Sequence, residues 1–384
     1  MESLASRQER IEKLKLLPQT ARGTPMGTLL RRFWHPVALA RHVPPKRAMA
    51  IRILSEDLTL FQGESGAYCL VGARCAHRGT LLYPGWIEGD SIRCPYHGWR
   101  YAANGRCVER PAEKDSGNAT SAIAGYPVRN YGGLLFAYLG EGAAPAFELP
   151  RKDVFESAGA VIITRAEKWP CNWFQMIENS MDATHVSFVH QLGTPGDFGS
   201  AVGQRIPELS YSETEAGIEQ VATRGKGNVR KSDWTFPNNN HIVIPGLGKD
   251  DPWTDIAQWN VPHDDLHTTR FSLNCTHATG AAAERFVGYY EEFGDYNPAD
   301  YHDELFYEGK FPEHPRLVSA QDYVATRGQG DIADRANEVL GRSDAGIVFL
   351  RNIFLRELDS IAAGQATKPW TKRPEAEQLP IPQV

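Results

Sequence analysis

Apolar residues near the start of the chain fall at Leu4, Ile11, Leu14 and Leu17, roughly helical spacing, and Pro18 ends the run. From about 28 to 145 the texture changes to short apolar runs broken by turn residues. Residues 58–62 and 67–71 flank Glu64-Ser-Gly and predict a hairpin. Residues 99–101 and 106–108 flank Asn104-Gly105, a dipeptide that favours a tight turn, and predict a second. Another strand is expected at 134–139, after Asn130-Tyr-Gly-Gly. Beyond Ala143-Ala-Pro-Ala the pattern is mixed. Residues 161–168 read as a strand, and 172–191 carry a helical period through Phe174, Ile177, Met181 and Phe188. Residues 205–290 alternate like an antiparallel sheet, and a long helical stretch is expected over 320–364. A proline-rich segment, 369–384, predicts an extended tail. The pattern predicts an α+β chain in four parts: a helix and linker (1–27), an all-β domain (28–145), an α+β domain with an antiparallel sheet flanked by helices (146–368), and the tail.

Composition narrows the function classes. The chain has 384 residues, with 41 basic against 47 acidic side chains and a net charge of −6. That length suggests two or three domains at about 150 residues each. A mildly acidic balance argues against a nucleic-acid binder, which needs a concentrated basic face. No apolar run approaches the roughly 20 residues of a membrane helix. Arg7, Glu9, Arg10, Glu12, Lys13 and Lys15 are too closely spaced for a signal peptide's apolar core. The six cysteines, at 69, 75, 94, 107, 171 and 275, form no secreted disulfide framework. A cytoplasmic protein is expected. No dinucleotide or flavin motif appears; Gly225-Lys-Gly227 lacks the strand–turn–helix context and reads as a turn.

Two constellations carry chemistry. The first is Cys75-Ala-His77-Arg-Gly79 and Cys94-Pro-Tyr-His97-Gly98-Trp99, with sixteen residues between His77 and Cys94. Thiolates and imidazoles converging from two loops suit zinc or iron–sulfur chemistry. A structural Cys2His2 zinc site is one reading. Zinc fingers pair Cys with Cys and His with His, whereas here each loop supplies one of each. That mixed pattern is what a Rieske [2Fe–2S] centre needs, with two Cys on one iron and two His on the other. The other four cysteines and the histidines at 35, 42, 241, 263, 267, 277, 302 and 314 show no ligand spacing and read as structural.

The second is Glu178-Asn179-Ser-Met-Asp182-Ala-Thr-His185-Val-Ser-Phe-Val-His190. Asp182 and His185 share a helix face, but His190 lies five residues past His185, about 140° round. The helix must therefore end or bulge if both rings are to meet one metal. Two such histidines and a distant carboxylate would form the 2-His-1-carboxylate facial triad of Fe(II) oxygenases. Taken alone, a lone H-x4-H also reads as surface or core histidines.

Together these runs resemble the Rieske non-haem iron ring-hydroxylating oxygenases, in their phthalate- and carbazole-dioxygenase-like group. The resemblance covers roughly 23–365 and is specific for the two metal sites. It implies a Rieske domain followed by a helix-grip-like catalytic domain. It implies that Cys75, His77, Cys94 and His97 hold the cluster, and that His185, His190 and Asp322, in Gln321-Asp322-Tyr-Val-Ala-Thr, hold a mononuclear iron. Asp331, Asp334, Glu338 and Asp344 are competing carboxylates with solvated-face readings. Asp182 would link His185 to a Rieske His97 of a neighbouring subunit, which implies a homotrimer or stacked trimers. Asn179 matches a residue near the iron in some relatives and reads equally as a helix-surface amide. Thr80, Tyr96 and Trp99 stand where respiratory Rieske proteins carry disulfide cysteines and a sulfur-bonding serine, so a low potential is expected. The implied partners are an NAD(P)H-dependent flavin and iron–sulfur reductase, with or without a ferredoxin, together with O2 and an aromatic substrate. The implied reaction is hydroxylation or dihydroxylation of an aromatic acid or heterocycle in aromatic catabolism, with aryl O- or N-demethylation as the alternative. Trp234, Phe236, Trp253, Trp259 and Phe271 are candidate pocket residues with an equal reading as sheet core.

Overall fold

The computed structural model describes residues 4–113, 121–190, 205–225, 229–294, 296–308 and 316–370. Most of the expected tail, with Lys226, Gly227 and His314, lies outside them. The chain divides into two compact units: residues 31–148, and 149–370 together with the residues up to Leu30. The N-terminal helix, Leu4–Leu14, thus belongs with the second unit, where Leu14 and Leu17 are buried.

The first unit is all β. Its strands are β1 Trp34–Leu39, β2 Met49–Ile53, β3 Glu56–Gln62, β4 Tyr68–Gly72, β5 Trp86–Glu88, β6 Ser91–Arg93, β7 Arg100–Ala102, β8 Cys107–Glu109, β9 Gly125–Tyr126, β10 Val128–Tyr131 and β11 Leu134–Tyr138. They form three antiparallel sheets, ordered β1-β11-β10, β2-β3-β4-β9 and β5-β6-β7-β8. Both predicted hairpins are present as β3–β4 and β7–β8. Gly105 takes the left-handed conformation the second turn requires, with φ 80°. Phe61, Val71, Leu82, Ile92 and Tyr101 pack with Cys69 and Cys107 into one core cluster that also takes in Cys75 and Cys94.

The second unit is built on a seven-stranded antiparallel sheet: β12 Val161–Trp169, β13 Glu208–Glu213, β14 Gly217–Thr223, β15 Val229–Thr235, β16 Asn239–Ile244, β17 Thr254–Pro262 and β18 Thr268–Thr276. Its order is β12-β18-β17-β16-β15-β14-β13, a meander with β12 added beside β18. The strands end at Thr276, short of the expected 290. Residues Ala281–Phe293 form a helix instead, because Phe286 and Tyr290 are buried one helical turn apart. The expected stretch 320–364 is two helices, Leu317–Arg327 and Ala345–Ala362. Gly328 and Gly330 end the first, and Asp334 then accepts the Ala336 N–H in a local turn that competes with helix. Trp234, Phe236 and Phe354 pack with Trp173, Phe174 and Trp370 in an aromatic core. Trp234, Phe236, Trp259 and Phe271 are all buried and line neither cavity described below, while Trp253 is 53 % exposed.

Candidate active site

The two Cys/His loops have the same backbone form. Gly79 N–H donates to Cys75 O at 2.9 Å and Gly98 N–H to Cys94 O at 3.1 Å, each closing a turn around its histidine. Both glycines are left-handed, φ 75° and 73°, which a side chain would strain. Cys75 and Cys94 are buried and not in disulfides, and Cys94 Sγ faces Cys75 and the N–H groups of Tyr96 and His97. The His77 and His97 rings lie 4.6 Å apart at the outer side, with His77 exposed and stacked 4.8 Å from Trp99. Tyr101 was not singled out by the motif, yet its hydroxyl sits 3.1 Å from Cys75 Sγ and accepts the Ala76 N–H. An inner pair of thiols and an outer pair of imidazoles fits a two-iron cluster. A single zinc would need all four donors close together. Among the described residues, one group gathers three donor atoms within 4.8 Å of one another, and it is not this quartet.

That group is His185, His190 and Asp322. Its geometry follows from a break in the helical run. Asn172 caps the helix Trp173–Met181 by accepting the Phe174 N–H, and the apolar face of that helix is buried. Asp182 then turns extended, with φ −96° and ψ 94°, and its Oδ1 accepts the Thr184 and His185 N–H groups. A short helix, Val186–Val189, restarts from His185. The break brings both rings to one side, 5.4 Å apart. The helix Leu317–Arg327 supplies Asp322, whose Oδ1 is 3.5 Å from His185 Nε2 and 3.3 Å from His190 Nε2.

Neighbouring side chains fix this triad. Gln321 Oε1 accepts from His190 Nδ1 at 2.8 Å, which fixes the ring with Nε2 turned toward Asp322. Asn179 Nδ2 donates to Asp322 Oδ1 at 3.2 Å, and Arg270, stacked on Trp169, places Nη1 3.6 Å from Oδ2. Burial opposes ionisation of Asp322, but His190 and His185 hold its carboxyl well below its usual value. Burial likewise opposes the His190 cation, and Asp322 outweighs it to raise that group. Asp182 Oδ2 lies 3.7 Å from His185 Nδ1, just beyond hydrogen-bond reach. One ionised carboxylate and two imidazoles turned toward it by Nε2 fit a divalent iron.

The competing carboxylates are engaged elsewhere. Asp331 pairs with Arg327, Glu338 with Arg351, and Asp344 accepts the Gly341 N–H. Glu178, beside Asn179, is buried between Arg335 and Arg351 at 2.6 Å from each. Two cavities meet at the triad. One is lined by Asn179, Asp182, His185, His190 and Asp322 with the inner faces of β14 to β18. The other reaches Asp322 from β12, β18 and β17 and from the helix Ala281–Phe293. Gln321 and Arg270 were missed by sequence reasoning. Gln321 precedes the chosen carboxylate directly, a placement that could have flagged it; Arg270 carries no local signal.

Comparison with known proteins extends these observations. Residues 33–131 match the model of the Rieske [2Fe-2S] domain. The chain is 32 % identical to the 5,5'-dehydrodivanillate O-demethylase oxygenase subunit of Sphingobium sp. (strain NBRC 103272 / SYK-6), over 96 % of this chain and 85 % of the relative. It is also 32 % identical to the phenoxybenzoate dioxygenase subunit alpha of Ectopseudomonas oleovorans, over 91 % of this chain and 85 % of that one. Among solved structures, Pseudomonas putida CBB5 NdmB superposes with a TM-score of 0.70 at 19 % identity, covering 89 % of this chain and 95 % of that one. The terminal oxygenase of carbazole 1,9a-dioxygenase from Novosphingobium sp. KA1 gives 0.65 at 19 % identity, covering 91 % and 97 %.

Proposed function

Because this chain belongs to the Rieske non-haem iron oxygenases, as a terminal oxygenase (alpha) subunit, we propose that Cys75, His77, Cys94 and His97 hold its [2Fe–2S] cluster and that His185, His190 and Asp322 hold a mononuclear Fe(II). The reaction is hydroxylation or dihydroxylation of an aromatic compound with O2 and electrons drawn from NAD(P)H. The observation that carries the metal assignment is the convergence of the three donors beside a cavity, in a chain with a Rieske domain. When bound, the ferrous ion supplies the centre at which O2 is reduced. The side chains do the rest. Gln321 fixes the His190 tautomer, Asn179 and Arg270 orient the Asp322 carboxylate, and Ile242, Ile244 and Val318 offer apolar surface to a ring.

Asp182 is the electron-transfer bridge of this proposal. Its Oδ2 faces His185 Nδ1, and it would accept from His97 of a neighbouring subunit in a closed homotrimer or stacked trimers. A flavin and iron–sulfur reductase, directly or through a ferredoxin, supplies the electrons. Aryl O-demethylation is the second reading, favoured by the dehydrodivanillate O-demethylase relative. The test combines iron analysis, EPR of the anaerobically reduced protein, and oxygen uptake with a surrogate reductase across aromatic acids, aryl ethers and N-alkyl arenes. His185→Ala should keep the Rieske signal, lose the mononuclear iron and abolish turnover. Zinc at one per chain with no Rieske signal would overturn the assignment.

A further inference from the structure

The two Cys/His loops are built alike beyond their turns. In each, the arginine directly before the cysteine closes the loop: Arg74 Nη1 donates to Gly79 O at 2.9 Å, and Arg93 Nη1 to Gly98 O at 2.7 Å. In each, the histidine lies against an aromatic ring of the second loop. His77 is stacked on Trp99 with the planes 5° apart, and the His97 ring lies 3.7 Å from that of Tyr96. A guanidinium covers each of those rings in turn. Arg110 lies 5.6 Å from the Trp99 centroid and Arg78 5.3 Å from the Tyr96 centroid, both within cation–π reach.

Each imidazole therefore heads a row of imidazole, aromatic ring and cation, and the two rows differ in their exposure. Arg78 is exposed and Tyr96 is 55 % exposed, so water and salt screen that cation. Trp99 is only 8 % exposed, and Arg110 is half-buried with its Nε shut off from solvent. Arg110 follows β8 directly, and a β-carbon at Gly98 would lie 3.2 Å from Pro111 Cγ, so the segment carrying Arg110 packs closely on the second loop.

The other arginines nearby are matched or screened. Arg93 and Arg100 share Glu88 and Glu109 at distances from 2.6 to 3.8 Å, two cations for two carboxylates. Arg74 is exposed. A cation beside a cluster favours the state that holds one electron more, and does so more strongly where solvent does not screen it.

We propose that Arg110, held over the ring on which His77 stacks, sets the reduction potential of the [2Fe–2S] cluster through its charge, and that its exposed counterpart Arg78 does not. The inference rests on the cluster assignment made above and adds a positioning residue that lies outside both Cys/His motifs. The step it acts on is the one-electron reduction of the cluster by the reductase, in which no bond is made or broken.

The test is a redox titration of the full chain at low and at high salt, followed by EPR of the reduced cluster. With the guanidinium on the order of 10 Å away and an effective dielectric of about 20, losing its charge should shift the one-electron equilibrium about 10-fold toward the oxidised cluster, about 59 mV. Arg110→Gln should lower the midpoint by that amount at both salt concentrations, while Arg110→Lys keeps most of the native value. Arg78→Gln should shift the equilibrium less than about 2-fold at high salt. An unmoved midpoint in Arg110→Gln, or an equal fall in Arg78→Gln at high salt, overturns the proposal. Should Arg110→Gln not take up the cluster, the native protein decides: a midpoint that salt alone lowers about 10-fold places the controlling cation in solvent and overturns it too, and one that salt does not lower supports it. A native protein with no Rieske EPR signal fails the cluster assignment itself, before any midpoint is read.

Discussion

At the scale of the residue, Tyr101 shows how a side chain outside a motif can tune it. Its oxygen accepts the Ala76 N–H, so its own proton is directed at Cys75 Sγ, 3.1 Å away. A donor to a ligating sulfur stabilises the more electron-rich, reduced cluster. Tyr101→Phe should therefore lower the cluster's reduction potential by about 40 mV, the one-electron equivalent of a hydrogen bond worth about 1 kcal/mol. Redox titration followed by EPR measures this, and an unmoved potential would show that the hydroxyl does not act on the cluster. The donor makes the potential less low than Thr80, Tyr96 and Trp99 alone would set it. What was legible in the sequence at this scale was contiguous. Cys75 and His77, or His185 and His190, declare themselves by spacing within one segment. Tyr101 is seven residues past Cys94 and Arg270 lies 52 residues before Asp322, so only folding brings them to the proposed ligands beside them.

At the scale of the element, short-range turns were readable and longer continuities were not. Asn104-Gly105 announced its hairpin, and the 172–191 run contained the geometric reason for its own interruption at Asp182. The helix Ala281–Phe293 was hidden because its aromatic residues also suit strands; burial of Phe286 and Tyr290 decided the matter. The segment between Leu317–Arg327 and Ala345–Ala362 kept apolar residues at helical spacing, yet Val339 is 96 % exposed and Arg335 turns inward to Glu178. Edge strand β13 is tied to the helix Ala345–Ala362 by Glu213, which takes both nitrogens of Arg356 at 2.9 and 3.0 Å and Lys368 Nζ at 2.7 Å. Arg356 foremost, then Lys368, holds the Glu213 carboxyl down to about 2. A depressed carboxyl stabilises the fold fully above its unfolded value of about 4.3 and loses that contribution as pH falls through the folded value. In urea melts, the stability gap between the native protein and Glu213→Gln should be largest at neutral pH and close steadily between pH 4 and 2. A gap independent of pH would mean that the ion pairs contribute nothing. With its partners partly exposed to solvent, the gap itself should stay below about 1 kcal/mol.

At the scale of the whole molecule, the proposed bridge through Asp182 makes the working unit larger than one chain. A chain carrying His97→Ala lacks a Rieske ligand, and one carrying Asp322→Ala lacks an iron ligand; each alone should be inactive. Co-assembled from one expression host, the pair should regain turnover if electrons cross from one subunit to the next. Purified mixed assemblies that stay inactive would place transfer within the chain. The division of labour inside the second unit has its own consequence. The three proposed iron ligands come from helical segments or their ends, whereas much of the cavity wall comes from strands, through Ala222, Ile242, Ile244 and Gln258. Mutation along those strands can re-cut the mould around an incoming molecule without disturbing the hardware that activates oxygen. A lineage built this way can acquire new diets by small steps, each intermediate keeping a working engine.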